Sequence, residues 1–310
     1  MCIRDSISVM LSSWLRAIRI RFLLASIIAV STGLAISWWT GNSITIFDAV
    51  LTFLGVLALH ASVDLLNDYW DFKRGIDTKT VKTKMSGGSG VLPEGLLEPK
   101  QVYRVGIIFL IIGALIGTYF VLTDGIIIGV ILAFAVLSIY FYSTKIVNWG
   151  LAEVFVTIKG TLIVIGTCYI QTSQINESMV LGGIIVGVLS SFVLFITSFP
   201  DYDIDKAEGR KTLVISFGLK RSCTVFWAFP IIVYTLTIVS VILDVFPLIC
   251  ISILLTFPLI IKSGKKLKTS YNKLPGLIST MSSTLVFSRI TGTIFFICFI
   301  IDALITRNVF

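Results

Sequence analysis

The chain has 310 residues, 56% of them apolar, a mean hydropathy of +0.98 and only 14% charged residues. Soluble domains carry about 25% charged and about 45–50% apolar residues, so a soluble enzyme, a disordered chain and a nucleic-acid module are excluded. The composition predicts an all-α, polytopic membrane protein, and the net charge of +8 has to be read by its distribution between loops.

Nine apolar stretches follow in chain order, at roughly 18–38, 44–66, 102–122, 125–142, 151–170, 178–198, 222–243, 246–262 and 284–305. At about 20 residues each they occupy about 180 residues, and they predict nine transmembrane helices in a single membrane domain over residues 1–310. The first run follows Arg16, Arg19 and Arg21, but it is too long for a signal-peptide core and lacks a small-residue cleavage site, so it is expected to stay as a span. Residues before Trp14 carry no pattern that ties them to the fold. Five scattered cysteines (Cys2, Cys168, Cys223, Cys250, Cys298) and one histidine, His60, speak against a disulfide framework and against a zinc or haem site.

With the N-terminus inside, the tail and the loops between spans 2–3, 4–5, 6–7 and 8–9 hold 22 of the 25 basic residues. Only Arg307 falls outside, while Lys159 and Arg289 lie within spans. The positive-inside rule then predicts a cytoplasmic N-terminus in a cell membrane, with 73–100 and 201–220 as cytoplasmic loops.

Two acidic runs need a reason, because carboxylates near a bilayer are costly. In the first, Asp64, Asp68 and Asp71 fall on one helix face at about 100° per residue. Asn67 sits at the edge of that face, and Gly75 ends the helix and leaves Asp77 on the loop. In the second, Asp201 and Asp205 share a face and Asp203 points away into solvent. Spans 2 and 6 both end inside, so the two runs meet at one membrane depth. With no basic residue read between them, converging carboxylates need cations, and oxygen donors without His or Cys select a hard ion, Mg²⁺. Four carboxylates, two Mg²⁺ and a diphosphate leave about −3 of charge, which Lys145, Arg210 and Lys211 on adjacent loops would balance. Helix capping with interfacial ion pairing is the alternative, and it suits one such run better than two on the same side.

Asn67-Asp68-x-x-Asp71 with Asp77, then Asp201-x-x-x-Asp205, resembles the UbiA superfamily of intramembrane prenyltransferases. The stretches NDYWDFKRGID (67–77), SGGSGVLPEGLL (86–97), GLAE (150–153) and DYDIDKAEGRKTL (201–213) resemble its 1,4-dihydroxy-2-naphthoate polyprenyltransferase branch, which serves menaquinone biosynthesis. The resemblance implies a nine-helix bundle around a central cavity open to lipid, capped by the two cytoplasmic loops. It implies that Asn67, Asp68, Asp71, Asp201 and Asp205 hold Mg²⁺, with Asp68, Asp71, Asp201, Asp205 and Lys145 as the catalytic set. Lys73, Arg74, Tyr69, Tyr202, Arg210 and Lys211 are expected at the substrate diphosphate. Ser198 stands where relatives often have Asn, and the stretch Tyr142–Lys145 is shorter than the Tyr-and-basic segment of relatives. Both departures bear on the acceptor more than on the reaction class.

The expected partners are a polyprenyl diphosphate, an aromatic acceptor and the bilayer. Charge withdrawal by Mg²⁺ and basic side chains would ionise the allylic C1–O bond, and an aromatic-lined pocket would shelter the cation. Acceptors left open are 1,4-dihydroxy-2-naphthoate, 4-hydroxybenzoate, homogentisate, a glycerol-phosphate ether lipid precursor and haem. The rival class is an ion-coupled transporter, which predicts acids near mid-span and paired broken helices. The glycine-rich loop reads as a phosphate cradle, a lid or a plain turn. Lys159 is a functional candidate with Asp64 or Glu153 as partner, His60 reads as a satisfied polar residue between helices, and Arg289 as a snorkelling side chain.

Overall fold

In lipid, a backbone has to satisfy its own hydrogen bonds, and an apolar run does so by closing them along one helix. The computed structural model describes residues 3–80, 82–83 and 85–307, with side chains from residue 9, and contains helices and no strand among them. Cys2, and Lys84 among the 22 basic residues counted above, lie outside the described residues.

The first half holds α1 (Ile3–Ala17), α2 (Ile20–Trp39), α3 (Ile46–Lys73), the one-turn α4 (Ile76–Lys79), α5 (Pro99–Asp124) and α6 (Ile126–Phe141). After a 3₁₀ turn at Ile146–Trp149 come α7 (Ala152–Thr172), α8 (Glu177–Thr197) and the short α9 (Tyr202–Ala207). The chain ends with α10 (Leu213–Phe217), α11 (Leu219–Val225), α12 (Ala228–Ile242), a 3₁₀ segment Leu248–Thr256, α13 (Phe257–Ser270) and α14 (Leu274–Thr306). Eight stretches among the described residues are long and apolar enough to cross a membrane. The remaining expected span, α6, has 16 residues, which makes a rod of about 24 Å. All nine sequence-predicted spans are therefore present as apolar helical segments.

Boundaries moved where side chains hide their polarity. The last helix begins at Leu274 instead of 284, across a Ser/Thr-rich turn that hydropathy treats as polar. There Thr280 Oγ1 donates to Gly276 O at 3.0 Å and Ser283 Oγ to Ser279 O at 3.0 Å, so the hydroxyls are satisfied by their own helix. Residues before Trp14 continue the helix as α1, with Val9, Met10 and Leu11 exposed; it is Trp14 and Ala17 that pack with Val91, Leu92 and Leu97 of the loop before α5. Arg16 Nε donates to Ser89 O at 2.7 Å, and its Nη groups hold Glu94 at 2.6 and 2.7 Å.

Helices α7 and α8 cross closely because small residues line the contact, the usual device where lipid supplies no hydrophobic drive between helices. A Cβ on Gly187 would lie 2.2 Å from Thr157 O, and one on Gly160 would lie 2.6 Å from Gly187 Cα. The largest buried cluster lies among α8, α12 and α14, where Phe192, Phe195, Phe226, Phe287, Phe295 and Phe299 are fully buried. The opposite part of the bundle, between α2, α3, α6, α7 and α8, keeps a cavity of about 310 Å³.

Candidate functional site

Both acidic runs reach the mouth of that cavity. Asp71, Asp77, Asp201 and Asp205 line it, together with Asn67, Arg19 and Arg210. Asp68, Asp71, Asp77 and Asp205 are 1%, 3%, 4% and 6% exposed, a degree of burial that carboxylates tolerate only with counter-charge. Asp203 is exposed, as its helix phase predicts.

The counter-charge is arginine. Arg19 forms an ion pair with Asp68, and Arg210 pairs with Asp71 and, at 3.2 Å, with Asp205. Arg210 thus joins the two acidic runs, which corrects the expectation that no basic residue stands between them. Its guanidinium is held above its usual range: burial lowers it, and Asp71 and Asp205 outweigh the burial. Arg19 carries a left-handed backbone, φ 46° and ψ 52°, as N-cap of α2. A non-glycine residue in that conformation is strained, and such strain concentrates at functional positions. In the sequence Arg19 reads only as an orientation charge, and no local residue pattern announces either its backbone or its partner.

The rest of the cradle is polar and ordered. Ser143 Oγ donates to Asn67 Oδ1 at 2.6 Å, which turns the amide so that Nδ2 donates to Asp71 Oδ2 at 3.2 Å. The glycine-rich loop lies over the first run: Ser89 N–H donates to Asp68 Oδ1 at 3.3 Å. Gly88, at φ +72°, packs so tightly on Asp77 that a Cβ there would lie 2.5 Å from Oδ2. Burial, then Asp71 and Asp68, push the Asp77 carboxyl up to about 8. Burial, then Asp205, push Asp201 up to about 7.

The other expected basic and tyrosine side chains turn elsewhere. Lys73 Nζ lies over the Tyr69 and Trp70 rings at 5.8 and 5.4 Å, Lys145 Nζ over Phe141 at 4.8 Å, and Lys206 Nζ over Tyr202 at 5.5 Å. Lys73, Lys145 and Lys211 are exposed, and none of them lines the cavity, nor do Tyr69 and Tyr202. Arg74 ties two loops together, donating to Ser143 O at 2.8 Å and Glu208 O at 3.4 Å. Glu153, expected as one partner of Lys159, instead accepts from Leu213 N–H at 3.0 Å, while Lys159 faces the cavity with Asp64. Arg289 also lines the cavity, which corrects the reading of it as a snorkelling side chain. His60 is satisfied as expected, by Ser26 Oγ at 2.6 Å. The four described cysteines are free thiols.

The donor chemistry at the mouth suits a hard divalent cation. Among the described residues, Asp68 Oδ2, Asp77 Oδ2 and Asp201 Oδ1 are buried oxygens without a hydrogen-bond partner, and every donor in reach is oxygen. No three acidic, His or Cys side chains of the described residues converge as a metal cluster; Asp71 and Asp205 are instead bridged by Arg210. An acidic cradle neutralised by two arginines, opening into an apolar cavity inside a helical bundle, suits a ligand with a polyanionic head and an apolar tail.

Comparison with known proteins agrees. The UbiA prenyltransferase family model matches residues 26–275. The 1,4-dihydroxy-2-naphthoate octaprenyltransferase of Escherichia coli is 26% identical over 219 residues, which is 66% of this chain and 68% of that protein. The UbiA prenyltransferase domain-containing protein 1 of Xenopus tropicalis is 26% identical over 81% of this chain and 72% of its own length. A solved UbiA homolog from Archaeoglobus fulgidus, bound to GPP and Mg²⁺, shares the fold with a TM-score of 0.61 at 16% identity, covering 91% of this chain and 99% of that one. With the family match spanning most of the chain, this multi-pass membrane protein belongs to the UbiA prenyltransferase family.

Proposed function

We propose that the protein transfers a polyprenyl group from its diphosphate to an aromatic acceptor, 1,4-dihydroxy-2-naphthoate by preference, in the step that commits the ring to a menaquinone. The observation that carries this reading is the meeting of Asp68, Asp71 and Asp205 with Arg19 and Arg210 at the mouth of an apolar cavity. The names of the relatives support the naphthoate among the aromatic acceptors. The active site faces the cytoplasm of a cell membrane in this reading, since the mouth lies on the basic side of the bundle.

Asn67, Asp68, Asp71, Asp201 and Asp205 would hold Mg²⁺, two ions by the charge count. Bound there, Mg²⁺ supplies Lewis-acid withdrawal of charge from the leaving diphosphate. Arg19 and Arg210 exchange their carboxylate partners for diphosphate oxygens and neutralise charge as it develops on the bridging oxygen. Lys73, Arg74, Lys145 and Lys211, with Tyr69 and Tyr202, stand on the rim, within reach of the diphosphate only after side-chain movement. Breaking the allylic C1–O bond leaves a prenyl cation, which the apolar walls, including Phe22 and Phe155, keep from water. The C–C bond then forms to the electron-rich ring, which regains aromaticity by losing a proton or, where the attacked carbon bears a carboxylate, carbon dioxide. The protein contributes no covalent nucleophile.

The test is diphosphate release by purified protein in detergent, given geranylgeranyl diphosphate, Mg²⁺ and 1,4-dihydroxy-2-naphthoate, with product identified by mass. Release that requires both Mg²⁺ and the naphthoate is expected. Release that ignores the naphthoate but responds to 4-hydroxybenzoate or homogentisate moves the acceptor. No release with any acceptor, from protein that melts cooperatively, rejects the reading.

A further inference from the structure

A second polar layer lies deeper in the same cavity. Ser26 Oγ and His60 Nδ1 lie 2.6 Å apart, and His60 Nε2 is 3.8 Å from Asp64 Oδ2. Ser26 is seven residues beyond Arg19 and His60 eight before Asp68, so this layer sits about 10–12 Å further along the helices than the Arg19–Asp68 pair. Lys159, seven residues into α7, is at a matching depth of about 10 Å, and Arg289 enters from α14. All five side chains line the one cavity.

Two cations stand against one carboxylate in this layer. Among the described residues neither Lys159 nor Arg289 reaches a carboxylate oxygen within 4.0 Å, and Arg289 Nε is buried without a hydrogen-bond partner. An intramembrane cation without a partner is costly, and such groups are kept to bind or move something. The prenyl chain of the donor offers them no counter-charge, and the diphosphate is accounted for at the mouth. The missing anion therefore belongs to the second substrate. The surrounding wall is largely apolar and partly aromatic (Phe22, Leu59, Phe155, Val156), which suits a planar hydrocarbon body with one charged group.

We infer that Lys159 and Arg289 form an anion subsite that holds the carboxylate of an aromatic acid acceptor. This rests on the prenyltransferase reading above and deepens it. It makes the charged group of the acceptor, and not only its phenolic ring, a condition of binding. An Arg–carboxylate contact out of water is strong and directional.

The test separates this inference from the reading beneath it. Binding of the fluorescent acid 1-hydroxy-2-naphthoate to the full-length protein in detergent is compared with binding of its neutral carboxamide. Mg²⁺-dependent binding of geranyl diphosphate is measured in parallel. The acid is expected to bind at least about tenfold tighter than the amide. That preference should fall to about one in Lys159→Met/Arg289→Met, and partly in Arg289→Lys, while geranyl diphosphate still binds and reports an intact fold. In turnover the double variant should raise the KM for the acceptor and leave the KM for the prenyl diphosphate within about twofold. Equal binding of acid and amide by the wild type overturns the inference, as does displacement of the probe by sn-glycerol 1-phosphate at lower concentration than by the naphthoate. If the double variant fails to bind geranyl diphosphate, Arg289→Lys and Lys159→Gln alone decide by the acid-to-amide ratio. Failure of the wild type to bind geranyl diphosphate with Mg²⁺ rejects the prenyltransferase reading, whatever the naphthoate ratio.

Discussion

The two acidic runs sit at the same mouth but on different mechanical supports. Asp64, Asp68 and Asp71 ride one unbroken helix, α3, that runs 28 residues to Lys73. Asp201 and Asp205 follow a break: α8 stops at Thr197, and Pro200 keeps it from running on into α9. Proline lacks the N–H that would bond four residues back, and its ring clashes with that carbonyl. The first run is stiff, buried and clamped by Arg19, Arg210 and Asn67. The second is carried on a six-residue helix, and its Asp201 Oδ1 has no partner among the described residues. The two runs thus reach one mouth by different routes, one along a continuous helix and one across a proline break, and Arg210 ties them together.

The largest effect that can break this comparison is loss of a carboxylate from either run. Asp71→Asn and Asp205→Asn should each lower diphosphate release by at least about 10²-fold. Because Asn67 and Arg210 preorganise Asp71, its loss should show mainly in kcat, whereas loss of Asp205 should also raise the Mg²⁺ concentration needed for half-maximal rate. Either variant retaining more than a tenth of wild-type activity would remove its run from the metal site. Next comes Arg19→Ala, which leaves Asp68 buried and unpaired. Breaking a buried pair from one side costs about 3–5 kcal/mol, so the metal-free variant should melt several degrees below wild type. Added Mg²⁺ should narrow that gap. A gap that Mg²⁺ leaves unchanged would mean that Asp68 does not meet the metal.

Much of this was legible in sequence, for a definite reason in each case. The spans could be read because lipid demands unbroken apolar runs, and both acidic runs could be read because carboxylates recur at helical spacing beside a membrane. Arg19 could not be placed at Asp68, 49 residues away, and nothing local carries Arg210 from its near partner Asp205 across to Asp71, 139 residues away. Lys73 was expected at the diphosphate and Lys145 in the catalytic set because both are cationic and sit on segments expected to be cytoplasmic beside the acidic runs. The structure lays them over Trp70 and Phe141 instead, a contact worth about 0.5–1 kcal/mol at an exposed site that no charge count can anticipate. The meeting of Lys159 and Arg289 on one cavity is of the same kind, since they lie 130 residues apart and only the fold brings them to the same wall.

Asp77 sharpens the comparison from the loop between the runs. Its carboxyl is pushed up to about 8, first by burial and then by Asp71 and Asp68. A carboxyl whose folded pKa lies above its unfolded value of 3.8 stabilises the fold below that value, and the contribution is lost as pH rises towards about 8. The metal-free protein should therefore lose on the order of 5 kcal/mol from this group between pH 4 and 8, read as a falling Tm. Asp77→Asn should make that slope shallower, leaving the part that Asp201 contributes. A wild-type Tm constant over this range would show that the Gly88 contact does not hold the carboxyl out of water.

The smallest effects probe the joint itself. Pro200→Ala allows α8 to continue into α9 and so swings Asp201 and Asp205 about the cavity axis. About three- to tenfold weaker Mg²⁺ activation is expected, with α3 and its ion pairs untouched. Asp203 provides the reference for that change. It sits between Asp201 and Asp205 on α9 but faces solvent, where exposed charges contribute little. Asp203→Asn removes the same charge as Asp205→Asn, two residues away, from the same short helix, yet should alter rate and Mg²⁺ activation by less than about twofold. If both variants lose activity alike, net acidity of the loop matters and the face of α9 does not. If only Asp205→Asn does, the orientation that the break at Pro200 imposes on α9 is what brings the second acidic run to the ligand.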